Sequence, residues 1–205
     1  MLEKLFNRKK KFSPTPAYIV MLVAAVAAFL AAFVLSVEKL ELLKNPDAQL
    51  TCSFNLVLNC ASVMKTPQAS VFGFPNSYIG IAGFAIVIAV AMGGILKVAF
   101  SRAYLVTAQA FFGLGLLFAY WLFFQSVYVI QILCPWCLIV TVATTLIFES
   151  LLRINLRANN FGLSKRANER VQKWLDKDYD KLVVAAWLVL LAALVVLKFG
   201  DSLTA

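Results

Sequence analysis

A chain of 205 residues with 62% hydrophobic and 14% charged side chains, at a mean hydropathy of +0.84, falls outside the composition of soluble globular domains. Its net charge of +9 does not indicate nucleic acid, because the basic residues flank apolar runs in the manner that sets membrane orientation. The expectation is an all-α integral membrane protein, one domain by length, with capacity for about four to six spans of about 20 residues each.

The first uncharged run, Phe12 to Val37, follows Lys4, Arg8, Lys9, Lys10 and Lys11. Its 26 residues exceed a signal-peptide core of about 7 to 15, so an uncleaved anchor is expected, with Ala17 to Val37 as the spanning part. Residues 38–77 read as an outer loop, with Asn45-Pro46-Asp47 as a turn signal and Cys52 and Cys60 in its middle. Tyr78 to Leu96 is the second span. Between Arg102 and Glu149, 46 residues carry no charge, which suits two antiparallel helices joined by a tight hairpin that Gln125, Ser126 and Gln131 mark. The third span is then about Ala103 to Phe124, and the fourth runs from Cys134-Pro135-Trp136-Cys137 to Leu152. Together these four helices, within residues 1–152, form the expected catalytic bundle.

Residues 153–181 are a basic cytoplasmic segment. Within it Ala167, Val171, Trp174 and Leu175 repeat at helical spacing, while Lys165, Arg166, Arg170, Lys173 and Lys177 fall on other faces. That pattern fits either an interfacial helix on anionic lipid or a solvated charged loop. A fifth transmembrane helix is expected in 182–205, where Leu182 to Leu197 supplies 16 residues that span if Lys181 and Lys198 snorkel to the interfaces. With this topology, 15 of the 19 basic residues lie on the side of the N-terminus. The positive-inside rule therefore puts the N-terminus in the cytoplasm and both cysteine pairs on the outer face. In a bacterium that face is oxidising, so thiols there can cycle through disulfides.

Cys134 and Cys137 are three positions apart, which on a helix puts both sulfurs on one side, about 4.5 Å apart along the axis. Pro135 suits a first helical turn, where its missing N–H costs nothing. Unpaired N–H groups and the positive dipole end at that turn stabilise a thiolate at Cys134. Because the fourth helix runs inward, Cys137 lies deeper. The shallower sulfur is placed to meet a protein thiol and the deeper one to meet a molecule dissolved in lipid. Inert buried cysteines and an all-thiolate zinc site are the competing readings. The chain has no histidine, and a structural metal explains neither Pro135 nor the depth of Cys137, so no metal is expected. Cys52 and Cys60 share no helical face by simple spacing. Phe54, Leu56, Val57 and Leu58 between them are apolar enough to lie on the bilayer. The pair is either a moving carrier of a disulfide toward Cys134 or a static staple worth about 2 to 4 kcal/mol.

Cys52-x7-Cys60-Ala61-Ser62-Val63, then Phe72-Gly73-Phe74-Pro75-Asn76-Ser77 before a span, then a late Cys-x-x-Cys, resembles the vitamin K epoxide reductase family, most of all its bacterial branch. The resemblance covers roughly Ala17 to Leu152 and leaves the fifth helix outside. In the other disulfide-generating membrane family, that of DsbB, the Cys-x-x-Cys lies in the first outer loop, the reverse of the order here. The resemblance implies a four-helix bundle around a quinone, menaquinone or ubiquinone, with Cys134 and Cys137 as the active-site dithiol and Cys52 and Cys60 as the loop shuttle. A reduced thioredoxin-fold partner would attack Cys52, Cys60 would then attack Cys134, and Cys137 would pass two electrons to the quinone.

Asn76 aligns with the family asparagine that hydrogen-bonds a quinone carbonyl; without the motif, a helix cap is the simpler reading of Asn76 and Ser77. Thr66 matches a family Ser/Thr near the loop and is a second candidate at the quinone. Vertebrate members carry a tyrosine where this chain has Thr141, which favours simple quinone reduction over epoxide reduction. Some bacterial relatives carry a thioredoxin-like domain after the last helix. Eight residues follow Leu197 here, so a separate DsbA-like protein is the expected donor. The implied function is a thiol:quinone oxidoreductase of the bacterial inner membrane that supports disulfide formation in exported proteins. Alternatives are vitamin K epoxide or quinone reduction as the main role, or a disulfide-stapled scaffold without catalysis. A transporter is disfavoured, because the second, third and fourth spans hold no charge before Glu149.

Overall fold

The structure, a computed structural model, describes residues 14–48, 50–53 and 57–204. The basic start from Lys4 to Lys11 and the loop residues Phe54 and Leu56 lie outside the described residues. Among the described residues, five helices are long and apolar enough to cross a membrane, and this is an all-α integral membrane protein. A row of large apolar side chains, among them Val23, Leu30, Leu114, Leu117, Val189 and Leu197, is exposed on the outside of the bundle, as a lipid-facing surface requires.

The first helix, α1 (Thr15–Lys44), is the centre of the bundle. Ala24, Ala25, Ala28, Ala31 and Ala32 are buried along it, and such small side chains let neighbouring backbones approach closely. A short helix α2 (Cys60–Met64) and a single tight turn (Pro67–Ser70) follow, before α3 (Asn76–Ile95) packs on α1. Close approach is explicit at Gly94, where a Cβ would sit 2.4 Å from the Tyr18 ring. Lys97, in the left-handed region at φ 63°, turns the chain into α4 (Arg102–Phe124), which Ser101 caps by accepting from the Tyr104 N–H.

Next comes α5 (Pro135–Arg157), which packs on both α1 and α4. Although consecutive in the chain, α3 and α4 do not pack closely on each other. The order in space is α3, α1, α5, α4, curled into a ring with a cleft between its two ends.

The chain continues helically past Phe124 through a wide π-type turn over Gln125–Ile130 and reverses only at Gln131, at φ 58°. Of the three residues expected to mark the hairpin, Gln131 alone makes it. Val127 is buried in the turn, and Ser126 bonds Ile132 through both its hydroxyl and its carbonyl, so the backbone stays paired until the reversal.

Beyond α5, the basic segment folds into α6 (Lys165–Asp176), capped by Ser164. It docks on the end of α5 through the Arg157–Asp176 ion pair at 2.6 Å and a 2.9 Å bond from Gln172 Nε2 to the Leu156 carbonyl. Of the apolar stripe, Leu175 is fully buried whereas Trp174 is exposed. The last helix, α7 (Tyr179–Thr204), has 26 residues. It extends beyond both lysines that bounded the apolar run, so its span does not depend on those 16 residues alone. Leu191 and Phe199 pack against Phe123, Val127 and Leu133, and Trp187 Nε1 donates to the Tyr120 hydroxyl at 2.8 Å.

Candidate active site

All four cysteines meet at one end of the bundle. Residues 38–44 were expected in the loop but form the last two turns of α1, which carries Glu38 and Leu42 up to the cysteines. Thr51 donates its backbone N–H to Glu38 Oε1 at 3.1 Å, and its hydroxyl donates to the same oxygen. Cys52 follows and forms a disulfide with Cys60, with the two Cα atoms 5.6 Å apart. Asn59 caps α2 by accepting from the Ser62 N–H at 3.0 Å, and it also accepts from the Ser53 hydroxyl.

Two backbone bonds set the position of this loop. Leu133 N–H donates to the Val57 carbonyl at 2.7 Å, and Asn59 N–H donates to the Leu133 carbonyl at 3.1 Å. Leu133 is the residue before Cys134, so the short parallel bridge holds Cys60 against the start of α5. The loop is therefore pinned next to Cys60, not free to swing there. Asn59→Ala is expected to lower stability by about 1 kcal/mol, the usual worth of such a cap. A thermal shift in detergent checks this, together with a faster alkylation of Cys134 as Cys60 moves away.

Cys134 is the cap residue of α5, and its sulfur accepts from the Cys137 N–H at 3.3 Å. Its thiol lies 3.4 Å from Cys60 Sγ. Cys60 and Cys134 are 0% and 1% exposed, so this contact is sealed from solvent. Cys137 is a free, partly exposed thiol one turn further along α5, away from the loop. The sulfurs thus run in the order Cys52, Cys60, Cys134, Cys137. Ligand atoms of Glu38, Cys52 and Cys60 lie within 4.8 Å of one another, but the two sulfurs are bonded together and offer no thiolate to a metal in this state.

Both Cys134 and Cys137 line a cavity of about 650 Å³ enclosed by α1, α3, α4 and α5. Its walls are mostly apolar, with Gly83, Phe84, Phe111 and Gly115 along the cleft between α3 and α4. Asn76 opens α3 and lines the same cavity. The cap position of α3 is Pro75, so Asn76 is the first helical residue and not the cap. Its side chain accepts from the Val71 N–H at 3.1 Å and donates to the Gln68 carbonyl at 2.7 Å, which closes the 68–76 loop and leaves one amide N–H to spare.

Thr66 also lines the cavity, but its hydroxyl hydrogen goes to the Val63 carbonyl at 2.7 Å, leaving it an acceptor. Thr141 likewise spends its hydrogen on the Cys137 carbonyl at 2.9 Å. Phe72 packs on both Phe74 and Phe118, and Phe118 reaches the cavity wall. Sequence reasoning missed Glu38 and Lys39. They are the first charges after the apolar run and read as the loop's beginning, yet Glu38 is buried at Cys52, and Lys39 lines the cavity with its ammonium on the Met64 carbonyl at 2.6 Å.

A comparison with curated protein sequences finds no match. The profile of the Vitamin K epoxide reductase family matches residues 19–151, more than half of the chain, and so takes in both cysteine pairs and Asn76. The chain therefore belongs to the vitamin K epoxide reductase family, whose members are membrane oxidoreductases.

Proposed function

We propose that this protein is a thiol:quinone oxidoreductase that takes electrons from a thioredoxin-fold partner and passes them to a membrane quinone, menaquinone or ubiquinone. The observation that carries the reading is the 3.4 Å separation of Cys60 Sγ and Cys134 Sγ, which joins a loop disulfide to a dithiol at the wall of an apolar cavity. Thiol–disulfide exchange needs sulfur atoms in contact, and here no rearrangement is required to supply that contact.

In the exchange, a partner thiolate attacks Cys52, which follows the exposed Thr51, and fully buried Cys60 leaves as the thiolate. Cys60 attacks Cys134 in its disulfide with Cys137, and Cys137 leaves on the cavity side. The N–H of Cys137 on Cys134 Sγ stabilises negative charge there when Cys134 is later released. A volume of about 650 Å³ lies within the usual range for ligand sites, about 300 to 1,000 Å³, and apolar walls with one spare amide N–H suit a quinone head. When bound, the quinone supplies a two-electron, two-proton acceptor. Asn76 orients it by that N–H, and the lipid-facing cleft between α3 and α4 accommodates an isoprenoid tail. Thr66 contributes packing and an acceptor. The committed hydroxyl of Thr141 offers no donor, which favours quinone reduction over epoxide chemistry.

The catalytic unit is 1–152, with the 153–181 segment and the helix of 182–205 as accessories. Arg102, Arg153, Arg157 and α6 lie at the end of the bundle opposite the cysteines. That supports a bacterial inner-membrane orientation with a cytoplasmic N-terminus and the cysteines outside. Purified protein given reduced thioredoxin and ubiquinone-1 is expected to convert the quinone to quinol, followed by the loss of quinone absorbance. Unchanged quinone, with thioredoxin still reduced, would sink the proposal.

A further inference from the structure

Glu38 takes no part in the exchange described above, yet it touches a reacting atom. Its side chain is on a residue only 5% exposed, and Oε2 lies 3.3 Å from Cys52 Sγ. The opposite oxygen, Oε1, is held by the N–H and hydroxyl of Thr51, the residue before Cys52. Carboxylate and sulfur are therefore fixed relative to each other by adjacent residues of one loop. A carboxyl oxygen at this distance can hand a proton to the sulfur or accept one from a Cys52 S–H.

We infer that Glu38 is the acid–base catalytic residue of Cys52, exchanging one proton with its sulfur as the loop disulfide opens and closes. The inference rests on the thiol:quinone reading. On opening, the second thiol of the partner attacks the partner sulfur bound to Cys52. The partner disulfide forms, Cys52 leaves with the electron pair, and Glu38 gives its proton to that sulfur. On closing, Glu38 takes the proton back as Cys52 Sγ bonds to Cys60. The Cys60–Cys134 bond breaks, and its electron pair leaves on Cys134, where the Cys137 N–H receives it. The partner dithiol is oxidised, and the proton returns to where it began. Glu38 thereby offers the sulfur a proton acceptor beside the apolar side chains of Leu42, Leu50 and Met64.

The test follows each disulfide separately. Fully reduced protein in detergent is mixed with ubiquinone-1, quenched with an alkylating reagent at intervals, and mapped by peptide mass. Glu38→Gln keeps the side-chain shape and an oxygen for Thr51 but cannot take a proton. Closure of Cys52–Cys60 is then expected to slow by about 10²-fold, the usual scale for a lost general base. Glu38→Asp, which retains a carboxyl group, recovers part of that rate. A second measurement needs only the unmodified protein: the infrared difference spectrum on loop closure should gain a protonated-carboxyl C=O band. Closure in Glu38→Gln at the unmodified rate, or the lack of that band, overturns the role of Glu38 alone. If the unmodified protein forms neither disulfide with the quinone, the thiol:quinone reading falls and this inference with it.

Discussion

With serine at position 137, quinone reduction is expected to fall by about 10³-fold or more, the scale of losing a covalent participant, and a Cys60–Cys134 disulfide should accumulate. Serine preserves the size of the residue and the first turn of α5, so the loss reports chemistry and not folding. Cys134 then has no partner of its own on the helix. Its nearest sulfur is Cys60 at 3.4 Å, already joined to Cys52. The Cys134 thiolate attacks Cys60, a Cys60–Cys134 bond forms, and Cys52 leaves with the electron pair. Non-reducing peptide mapping detects that product directly. A Cys52–Cys134 disulfide would reverse the two loop assignments, and turnover at the unmodified rate would falsify the relay.

Arg153→Ala should be the most damaging single change away from the cysteines, at about 3 to 5 kcal/mol, the cost of leaving a buried charge without its partner. Arg153 sits near the end of α5 and donates to Asp180 at 2.5 Å, to Asp178 at 2.6 Å and to the Leu175 carbonyl at 3.3 Å. One guanidinium therefore ties α5 to the end of α6, the connecting turn and the start of α7.

The Asp180 side chain is only 8% exposed, and the Glu149 carboxyl group is buried beside it. Removing the cation leaves those carboxyl groups facing each other. The expected outcome is a lower melting temperature in detergent and rapid proteolysis between α5 and α7. Arg153→Lys keeps the charge but not the planar fork, so it should fall between the two proteins. An Arg153→Ala protein as stable and protease-resistant as the unmodified one would show that α7 is held by its apolar contacts alone.

Several features were legible in the residues because membrane burial imposes a length rule. Apolar runs of about 20 residues bounded by charge admit few alternatives to spanning helices, and every expected span has its helix. Element ends were less legible. The first charged residues after Val37 look like a loop, but helical hydrogen bonding does not stop where the apolar run stops, and Leu42 has a core to join at Leu50 and Cys52. The same reason lengthens α7 past Lys198. At the hairpin, Gln125 and Ser126 carry the polarity of a turn, yet Ser126 turns its hydroxyl onto the Ile132 carbonyl and stays within the helical stretch. Polarity marks where water or a local acceptor is needed, and a local acceptor was available.

The pairing of cysteines shows the division between the two levels most clearly. Spacing alone places Cys134 and Cys137 on one face at a helix start, and the run of charges puts all four cysteines at one end of the spans, because helical periodicity and the membrane are both local constraints. Which cysteine of the loop meets Cys134 is not local. It follows from two backbone bonds between residues 57–59 and Leu133, which lie far apart in the chain and have no side-chain signature. Glu38 at Cys52 and the cavity behind Cys137 have the same origin: each depends on how separate helices pack, and packing is a property of the assembled bundle rather than of any one segment.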